Sequence, residues 1–288
     1  MGKYLSFILA ISLFLISCGD SSSNTTAPPK ERLDASLNNT NPALSFKIDK
    51  VTKKEGDCDK EDAPCVVVDV DVPVAIGGED GVAQAINENI KTLLVKTLDF
   101  GEAEANKNAD INAAVANVVE EFNAYRKDVP DGYPLWEFAI ASKVTHQSKK
   151  LVSIQFDTYA NTGGAHPNSW MDCLNFDANT GKLLDNTALI KDKKGLTTLA
   201  ETKFRAHHEL GPNDDLVDAG FEFQYLHIEG EEEANDKNTG VFALPNTIGI
   251  NNGKLLLCYN AYDIAAYVVG PTVLEIPLAE VEAFLNMQ

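Results

Sequence analysis

The sequence predicts an α+β fold in which two or three amphipathic helices pack on antiparallel sheets. Valine occupies every second position from Val66 to Val74, which is typical of a strand with one buried face. Apolar residues then recur at helical spacing in 82–98 and again in 111–125, after a polar, alanine-rich connection. Alternation returns in 136–158, where a turn interrupts it, and this predicts a β-hairpin.

The first 18 residues predict export. A charged start, the apolar run Leu5–Ile16 and a small residue before Cys18 form a secretory signal. The run is shorter than the roughly 20 residues of a membrane-spanning helix. Leu15-Ile16-Ser17-Cys18 resembles the lipobox of bacterial lipoproteins, which implies that Cys18 becomes the lipidated first residue. An ordinary signal peptide cut nearby is the alternative. We therefore expect an exported lipoprotein, anchored at the cell envelope outside the cytoplasm by its lipid alone.

The segment 19–42 is rich in Ser, Asn, Thr and Pro and predicts a flexible tether, because it contains too few large apolar residues to form a core. The whole chain carries a net charge of −19. Such a charge argues against nucleic-acid binding, which requires a basic surface. It favours either attraction to basic partners or a surface that is merely well solvated.

Four cysteines remain after Cys18, in a setting that permits disulfides. Cys58 and Cys65 flank a short polar segment between two strand-like stretches, so a bridge across the mouth of a hairpin is predicted. Cys173 and Cys258 each lie in an apolar alternating run and form either a second bridge or a pair of free buried thiols. Neither a Cys-x-x-Cys motif nor a paired-histidine motif is present, so we expect no metal site and no cofactor.

The folded part is expected to begin near Ala43 and to comprise an N-terminal α+β portion, 43–158, and a C-terminal α+β portion, 159–288. Phe46 and Ile48 indicate a first strand. Pro, Asp and Gly residues in 130–134 end the helical part with a turn.

In the C-terminal portion, apolar alternation indicates a strand over 170–176, and 177–182 has the composition of a tight turn. The acidic run 229–236 suggests an exposed loop. Asn252-Gly253 predicts a second hairpin, and 279–286 a short terminal helix. Another helix is predicted to place five residues on one face: Leu196, Leu199, Ala200, Phe204 and His207.

The stretch 159–168 is a polar turn with two adjacent glycines. Those glycines permit backbone angles forbidden to other residues, so His166 is expected to hydrogen-bond its own turn. Contact with a ligand is a second interpretation. Catalysis is a third, with His166 as a general base oriented by Asp157, Asp172 or Asp177, although no nucleophile or phosphate-binding motif accompanies it. The candidates for contact with a partner are Tyr159, Thr162, Gly163, Gly164, His166 and Asn168.

Several short motifs carry a family resemblance. The strings Thr162-Gly163-Gly164-Ala165-His166, Asn175-Phe176-Asp177 and Thr180-Gly181-Lys182 resemble the extracytoplasmic domain of lysozyme-sensing anti-sigma factors of the RsiV type. That domain also accompanies some peptidoglycan deacetylases as a noncatalytic module. The stretches 242–245 and 259–267 resemble its C-terminal segment. The resemblance implies an α+β fold and, in the anti-sigma members, direct binding of lysozyme. No sigma-binding segment is recognised here, so signalling by that route is not expected.

We therefore expect a noncatalytic envelope lipoprotein that binds a lysozyme-like protein or peptidoglycan. An acidic surface would steer a basic lysozyme towards it. Two alternatives stay open. One is a cell-wall hydrolase that uses His166 and a nearby carboxylate, and the other is a purely structural envelope component.

Overall fold

The computed structural model describes residues 43–60, 63–99, 110–130, 132, 134–223, 226 and 240–286. The predicted signal with Cys18, the tether 19–42 and the acidic run 229–236 lie outside the described residues. All described residues belong to one compact unit.

The elements follow one another as strands with two groups of helices between them. The first strands and helices are β1 (Ser45–Gly56), β2 (Cys65–Ile76), α1 (Val82–Leu98), α2 (Ile111–Asp128), β3 (Leu135–Gln147) and β4 (Leu151–Asn161). They are followed by β5 (Asn168–Asp177), β6 (Leu183–Leu184), α3 (Asn186–Leu189) and α4 (Lys193–His207). The last are β7 (Thr247–Asn251), β8 (Lys254–Tyr259), β9 (Thr272–Pro277) and α5 (Leu278–Val281), with short 3₁₀ turns at Tyr267–Val269 and Glu282–Phe284.

The predicted α+β class is confirmed. Strands β1 to β6 form one sheet in chain order. Its neighbours are antiparallel except for β2 and β3, which are parallel. The expectation of antiparallel sheets is therefore wrong for this pair. The reason is the connection, because α1 and α2 lie between the two strands and a helical crossover allows parallel pairing.

Helices α1 and α2 cover one face of this sheet through the predicted apolar stripes. Ile86, Ile90 and Leu94 of α1 are almost completely buried, as are Val68 and Val70 of β2. Their packing forms the first hydrophobic core. This burial, rather than helix propensity alone, stabilises both helices.

Strands β7, β8 and β9 form a second, antiparallel sheet. Asn252 (φ 46°) and Gly253 (φ 80°) connect β7 and β8. Positive φ at both turn residues is what a two-residue hairpin of this type requires, so the predicted hairpin is present. The terminal helix is shorter than 279–286, because regular α-helix ends at Val281.

Helix α4 packs on the second core with Leu196, Ala200 and Phe204. His207, which we expected on that apolar face, is exposed. The inward histidine is His208, whose ring lies 4.5 Å from that of Phe204. Helix α4 ends at His207, and His208 is the first residue after it. Helical spacing therefore does not predict the direction of the His208 side chain.

Strand β4 is buried on both faces. The first sheet continues across the predicted boundary at 158/159, since β4 pairs with β5. On the side away from the helices, β7 is held by polar side chains of the first sheet. Ser153 Oγ accepts from Ile250 N at 3.0 Å, and Asn175 Nδ2 donates to Ile248 O at 2.7 Å. Among the described helices, none is long and apolar enough to cross a membrane.

Candidate binding site

The turn between β4 and β5 depends on one glycine of its pair. Gly163 has φ +86°, a left-handed value that other residues avoid, and its N–H donates to Asn161 Oδ1 at 3.4 Å. Gly164 does not have a positive φ. A Cβ atom on Gly164 would meet nothing closer than His166 O at 3.9 Å. The backbone therefore requires glycine at 163 and not at 164.

Both ring nitrogens of His166 are hydrogen-bonded. Nδ1 lies 3.0 Å from Pro167 O, within its own turn, and Nε2 lies 3.0 Å from the Tyr262 hydroxyl. A carbonyl oxygen only accepts, so we assign the proton of a neutral imidazole to Nδ1. Nε2 then accepts from the Tyr262 hydroxyl. In this arrangement neither nitrogen is available to act as a general base.

The His166 ring is also covered. It stacks on Tyr267 with 3.7 Å between ring centroids and 15° between planes. The Tyr267 hydroxyl donates to Pro167 O at 2.8 Å, so the same carbonyl receives two hydrogen bonds. His166, Tyr262 and Tyr267, here called the junction cluster, fix the β4–β5 turn to the segment after β8.

An exposed apolar surface adjoins the junction cluster. Among the described residues, eight large hydrophobic side chains are exposed, and three of them lie within 262–269: Tyr262 (59%), Val268 (91%) and Val269 (49%). Tyr262 has φ +72°, which is rare for a bulky residue and costs free energy. Clustered apolar exposure of this kind marks an interaction surface more often than scattered exposure does. We call residues 262–269 the apolar loop.

A cavity of about 300 Å³, here the hairpin cavity, lies between the β4–β5 hairpin and the second sheet. Tyr159, Trp170 and Asp157 line one side, and Asn260 and Pro271 line the other. The Asn260 carboxamide bonds both backbone groups of Met171, accepting from N at 2.7 Å and donating to O at 3.0 Å. An amide paired in this way substitutes for a neighbouring strand and holds the cavity walls together.

Two half-buried carboxylates adjoin this region. Burial raises the pKa of Asp172 above its usual value, and the charge of Asp263 acts in the same direction, while the Trp170 hydrogen bond and Lys96 oppose the rise. Burial likewise raises the pKa of Asp263, against a hydrogen bond of 2.7 Å from Asn260 N. Each protonated form is favoured more than it is in water.

Among the described residues, the four cysteines form one disulfide and two free thiols. Cys58 and Cys65 form the predicted disulfide. Cys173 and Cys258 are free, so the thiol alternative and not the second bridge is found. Burial, together with nearby carboxylates, raises the pKa of Cys258 to about 12. Burial also raises that of Cys173. Because the thiolate is the reactive form, neither thiol suits nucleophilic chemistry.

The remaining candidates from the sequence fall around the same turn. Tyr159 lines the hairpin cavity, Thr162 begins the turn and is half-buried, and Asn168 is exposed at the start of β5. His207 and His208 lie elsewhere, at the end of α4. Within the described ranges, no group of three or more His, Cys, Asp and Glu residues could hold a metal ion.

Sequence reasoning did not pair His166 with Tyr262 and Tyr267. The three residues come from two stretches that were each noticed for their motifs, but Tyr262 follows His166 by 96 positions. Local spacing carries no information about contacts over that distance. The contact of Asn260 with Met171 was missed for the same reason, since the two residues are 89 positions apart.

Two segments of the chain match models of known protein families. Residues 59–169 match the family model described as Deacetylase PdaC. Residues 187–279 match the family model of DUF3298, a protein family of unknown function. One segment of the chain is thus similar to PdaC and another to DUF3298, and we call them the PdaC-type segment and the DUF3298-type segment. His166 belongs to the first and the two tyrosines to the second, so the junction cluster joins the two matched segments.

Two solved structures share the fold. A DUF3298 family member from Bacteroides fragilis superposes with a TM-score of 0.61 at 18% identity, covering 85% of this chain and 94% of that one. A DUF3298 family protein from Pseudomonas aeruginosa gives 0.53 at 18% identity, covering 84% and 95%. No curated protein matches the chain significantly.

Proposed function

We propose that this protein is a noncatalytic binding module of the bacterial cell envelope that holds a cell-wall-related partner, either a lysozyme-like protein or peptidoglycan. The PdaC-type and DUF3298-type segments suggest an envelope-associated domain. The resemblance to the RsiV type adds the choice of partner. The observation that carries the proposal is the apolar loop, which presents Tyr262, Val268 and Val269 to solvent on a base fixed by His166.

The chemistry of this surface suits binding. Aromatic and aliphatic side chains that are exposed before association and buried after it supply most of the free energy of a protein interface. The net charge of −19 adds long-range attraction to a basic partner such as lysozyme. Both nitrogens of His166 are hydrogen-bonded, Nδ1 within its own turn and Nε2 to Tyr262 of the apolar loop, which supports binding over the hydrolase alternative.

The test compares two exposed valines. Val268→Asp places a charge in the apolar loop, whereas Val241→Asp places one at a 65% exposed valine outside it. Retention on immobilised lysozyme, at low and high salt, and co-sedimentation with purified peptidoglycan are measured for both variants. We expect Val268→Asp to weaken binding about tenfold or more, as expected for a central interface residue, and Val241→Asp to bind as wild type.

Absence of binding to both partners at about 100 μM, far weaker than typical specific interfaces, would refute the binding proposal. Equal binding by the two variants would move the site away from the apolar loop. Release of soluble fragments from peptidoglycan by the purified protein would favour the hydrolase alternative instead.

We further propose that Cys18 anchors the protein by lipidation, on the strength of the lipobox-like sequence alone. Metabolic labelling with an alkyne fatty acid should mark the wild-type protein in the membrane fraction. Cys18→Ser should abolish the label. Labelling that persists in Cys18→Ser would contradict the assignment.

A further inference from the structure

A second cavity, of about 640 Å³, lies between β5, β6, α3 and the segment that leads into β7. We call it the edge cavity. Leu184, Ile190, Leu244 and Ile248 form much of its apolar wall. Its volume falls in the range of roughly 300–1,000 Å³ that is typical of small-ligand sites.

At the outer edge of β5, the backbone groups of one residue are left unpaired beside this cavity. Alternate residues of a strand direct their N–H and C=O groups to the same side. On the outer side of β5, Met171 is paired by the Asn260 carboxamide, and Asn175 lies opposite Leu184 of β6. Cys173 lies between them and lines the edge cavity. Within the described part of the chain, its outward N–H and C=O have no hydrogen-bond partner.

A second backbone donor reaches the cavity from β7. Ile250 N donates to Ser153 and not to β8, so Ile250 and Ile248 direct their backbone groups away from β8. Ile248 O accepts from Asn175, whereas the Ile248 N–H has no partner among the residues described. Ile248 is only 1% exposed. Buried backbone groups are almost always paired, so this donor indicates a ligand acceptor.

The rim of the edge cavity is basic although the chain is acidic. Lys191 and Lys193 both line it, and Lys191 is exposed. The one carboxylate of the rim, Asp185, accepts hydrogen bonds from Thr187 Oγ1 and Ala188 N, each at 2.7 Å. Lysine side chains at the mouth of a cavity whose one carboxylate is already hydrogen-bonded favour a ligand that carries a carboxylate.

We infer that the edge cavity binds a short, extended peptide that carries a carboxylate. A peptide group of the ligand pairs with the Cys173 N–H and C=O, as a strand does when it adds to a sheet edge. A second ligand carbonyl accepts from Ile248 N–H, and the carboxylate lies near Lys191. This inference rests on the proposed function in that peptidoglycan, one of its two proposed partners, carries short acidic peptides.

Amide chemical shifts of the ¹⁵N-labelled full chain test the inference directly. Muramyl dipeptide, which has both peptide groups and a carboxylate, should shift the amide signals of Cys173 and Ile248 and leave that of Met171, already paired, unchanged. Tri-N-acetylchitotriose, which offers amides without a carboxylate, should bind more weakly. No shift at Cys173 and Ile248 with about 5 mM muramyl dipeptide, or equal binding of tri-N-acetylchitotriose, would overturn the inference.

Two neighbouring lysines give a matched pair of variants. Lys191→Glu reverses a charge at the cavity rim and should weaken muramyl dipeptide binding about fivefold, the effect of one exposed ion pair. Lys194→Glu reverses an exposed charge that does not line the cavity and should change binding less than twofold, because an exposed charge outside the site contributes little. Equal effects of the two variants would overturn the role of Lys191.

The two proposals fail separately. If the protein sediments with intact peptidoglycan, or is retained on lysozyme, but muramyl dipeptide does not shift Cys173 and Ile248, the inference is wrong and the proposed function stands. If muramyl dipeptide binds at the edge cavity but neither macromolecule is retained, the proposed function is wrong and the edge cavity is a peptide site of another kind.

Discussion

At the scale of single residues, the two adjacent glycines of the β4–β5 turn have different backbone conformations, and only one of them requires glycine. Gly163 adopts φ +86° within the hairpin turn, whereas its neighbour Gly164 faces open space without a positive φ. The sequence predicted that glycines fix this turn, and it could not distinguish the two. The sign of φ depends on how the whole turn closes, which two identical letters do not encode.

Gly163→Ala should lower the free energy of unfolding by about 1–2 kcal/mol, because an L-residue in the left-handed region clashes with its own backbone. Gly164→Ala should change it by less, and a gain of up to about 1 kcal/mol is expected where alanine reduces the entropy of the unfolded chain. Urea unfolding of both variants measures the difference. A cost at 164 as large as that at 163 would contradict this account of the turn.

Asp172 gives the stability of the protein a pH dependence. Its pKa is raised in the folded state by burial. Above the pKa of an unfolded aspartate, about 3.9, the unfolded chain has released this proton while the folded chain retains it. The contribution of this group is therefore most favourable below that pH and is lost as pH rises through the folded pKa.

Asp172→Asn should consequently raise the unfolding free energy at neutral pH and flatten its fall with pH above about 3.9. Asparagine keeps an oxygen that can accept a hydrogen bond from Trp170, so the hydrogen bond between residues 170 and 172 is retained. Thermal unfolding over pH 4 to 7 checks this, with the exposed Asp218→Asn as a charge control. A steeper pH dependence in Asp172→Asn than in the wild type would show that the direction is wrong.

At the scale of elements, β7 is attached to the first sheet by side chains, not by strand pairing. Ser153 Oγ accepts from Ile250 N and donates to Asn175 Oδ1 at 2.8 Å, and Thr145 Oγ1 donates to Ile250 O at 2.6 Å. Gly249 permits the close approach, since a Cβ there would lie 2.7 Å from Cys173 Sγ. The polar face of β4 is thus an internal seam.

This seam explains why the alternation of residue types predicted the strand β4 but not the environment of its polar face. Alternation in 152–158 correctly predicted β4 but did not show what the polar positions of the strand face. Ser153 is completely buried and Gln155 nearly so. Polar residues are compatible with a solvent-exposed face and also with a buried face whose polar groups are hydrogen-bonded. Only the location of β7, about a hundred residues later in the chain, distinguishes the two cases.

Ser153→Ala should lower the unfolding free energy by about 1–3 kcal/mol, because it leaves the buried Ile250 N–H without its acceptor. Ser169→Ala, at an exposed position on β5, should change it by less than about 0.5 kcal/mol. Denaturant unfolding compares the two. Equal stability of both variants would mean that the seam contributes nothing to the attachment of β7.

At the scale of the whole molecule, the two matched segments share one compact unit although each has its own core. The sequence predicted two α+β portions but could not show how strongly they depend on each other. Both tryptophans, Trp136 and Trp170, lie in the first sheet. Their fluorescence therefore reports the first sheet, whereas far-ultraviolet circular dichroism reports both sheets and the helices.

Phe204→Ala, in the second core, should lower the midpoint of both signals together. Phe204 is completely buried among Phe221, Phe223, Phe242 and Tyr259, so its truncation should cost about 3–5 kcal/mol. Because β7 and the junction cluster tie the DUF3298-type segment to the first sheet, that loss of stability should also lower the midpoint of the tryptophan fluorescence transition. The exposed Thr198→Ala in the same helix provides the control. A fluorescence transition that stays at the wild-type midpoint while the dichroism signal splits in two would mean that the segments unfold independently, and that the contacts of His166 and Ser153 are too weak to couple them.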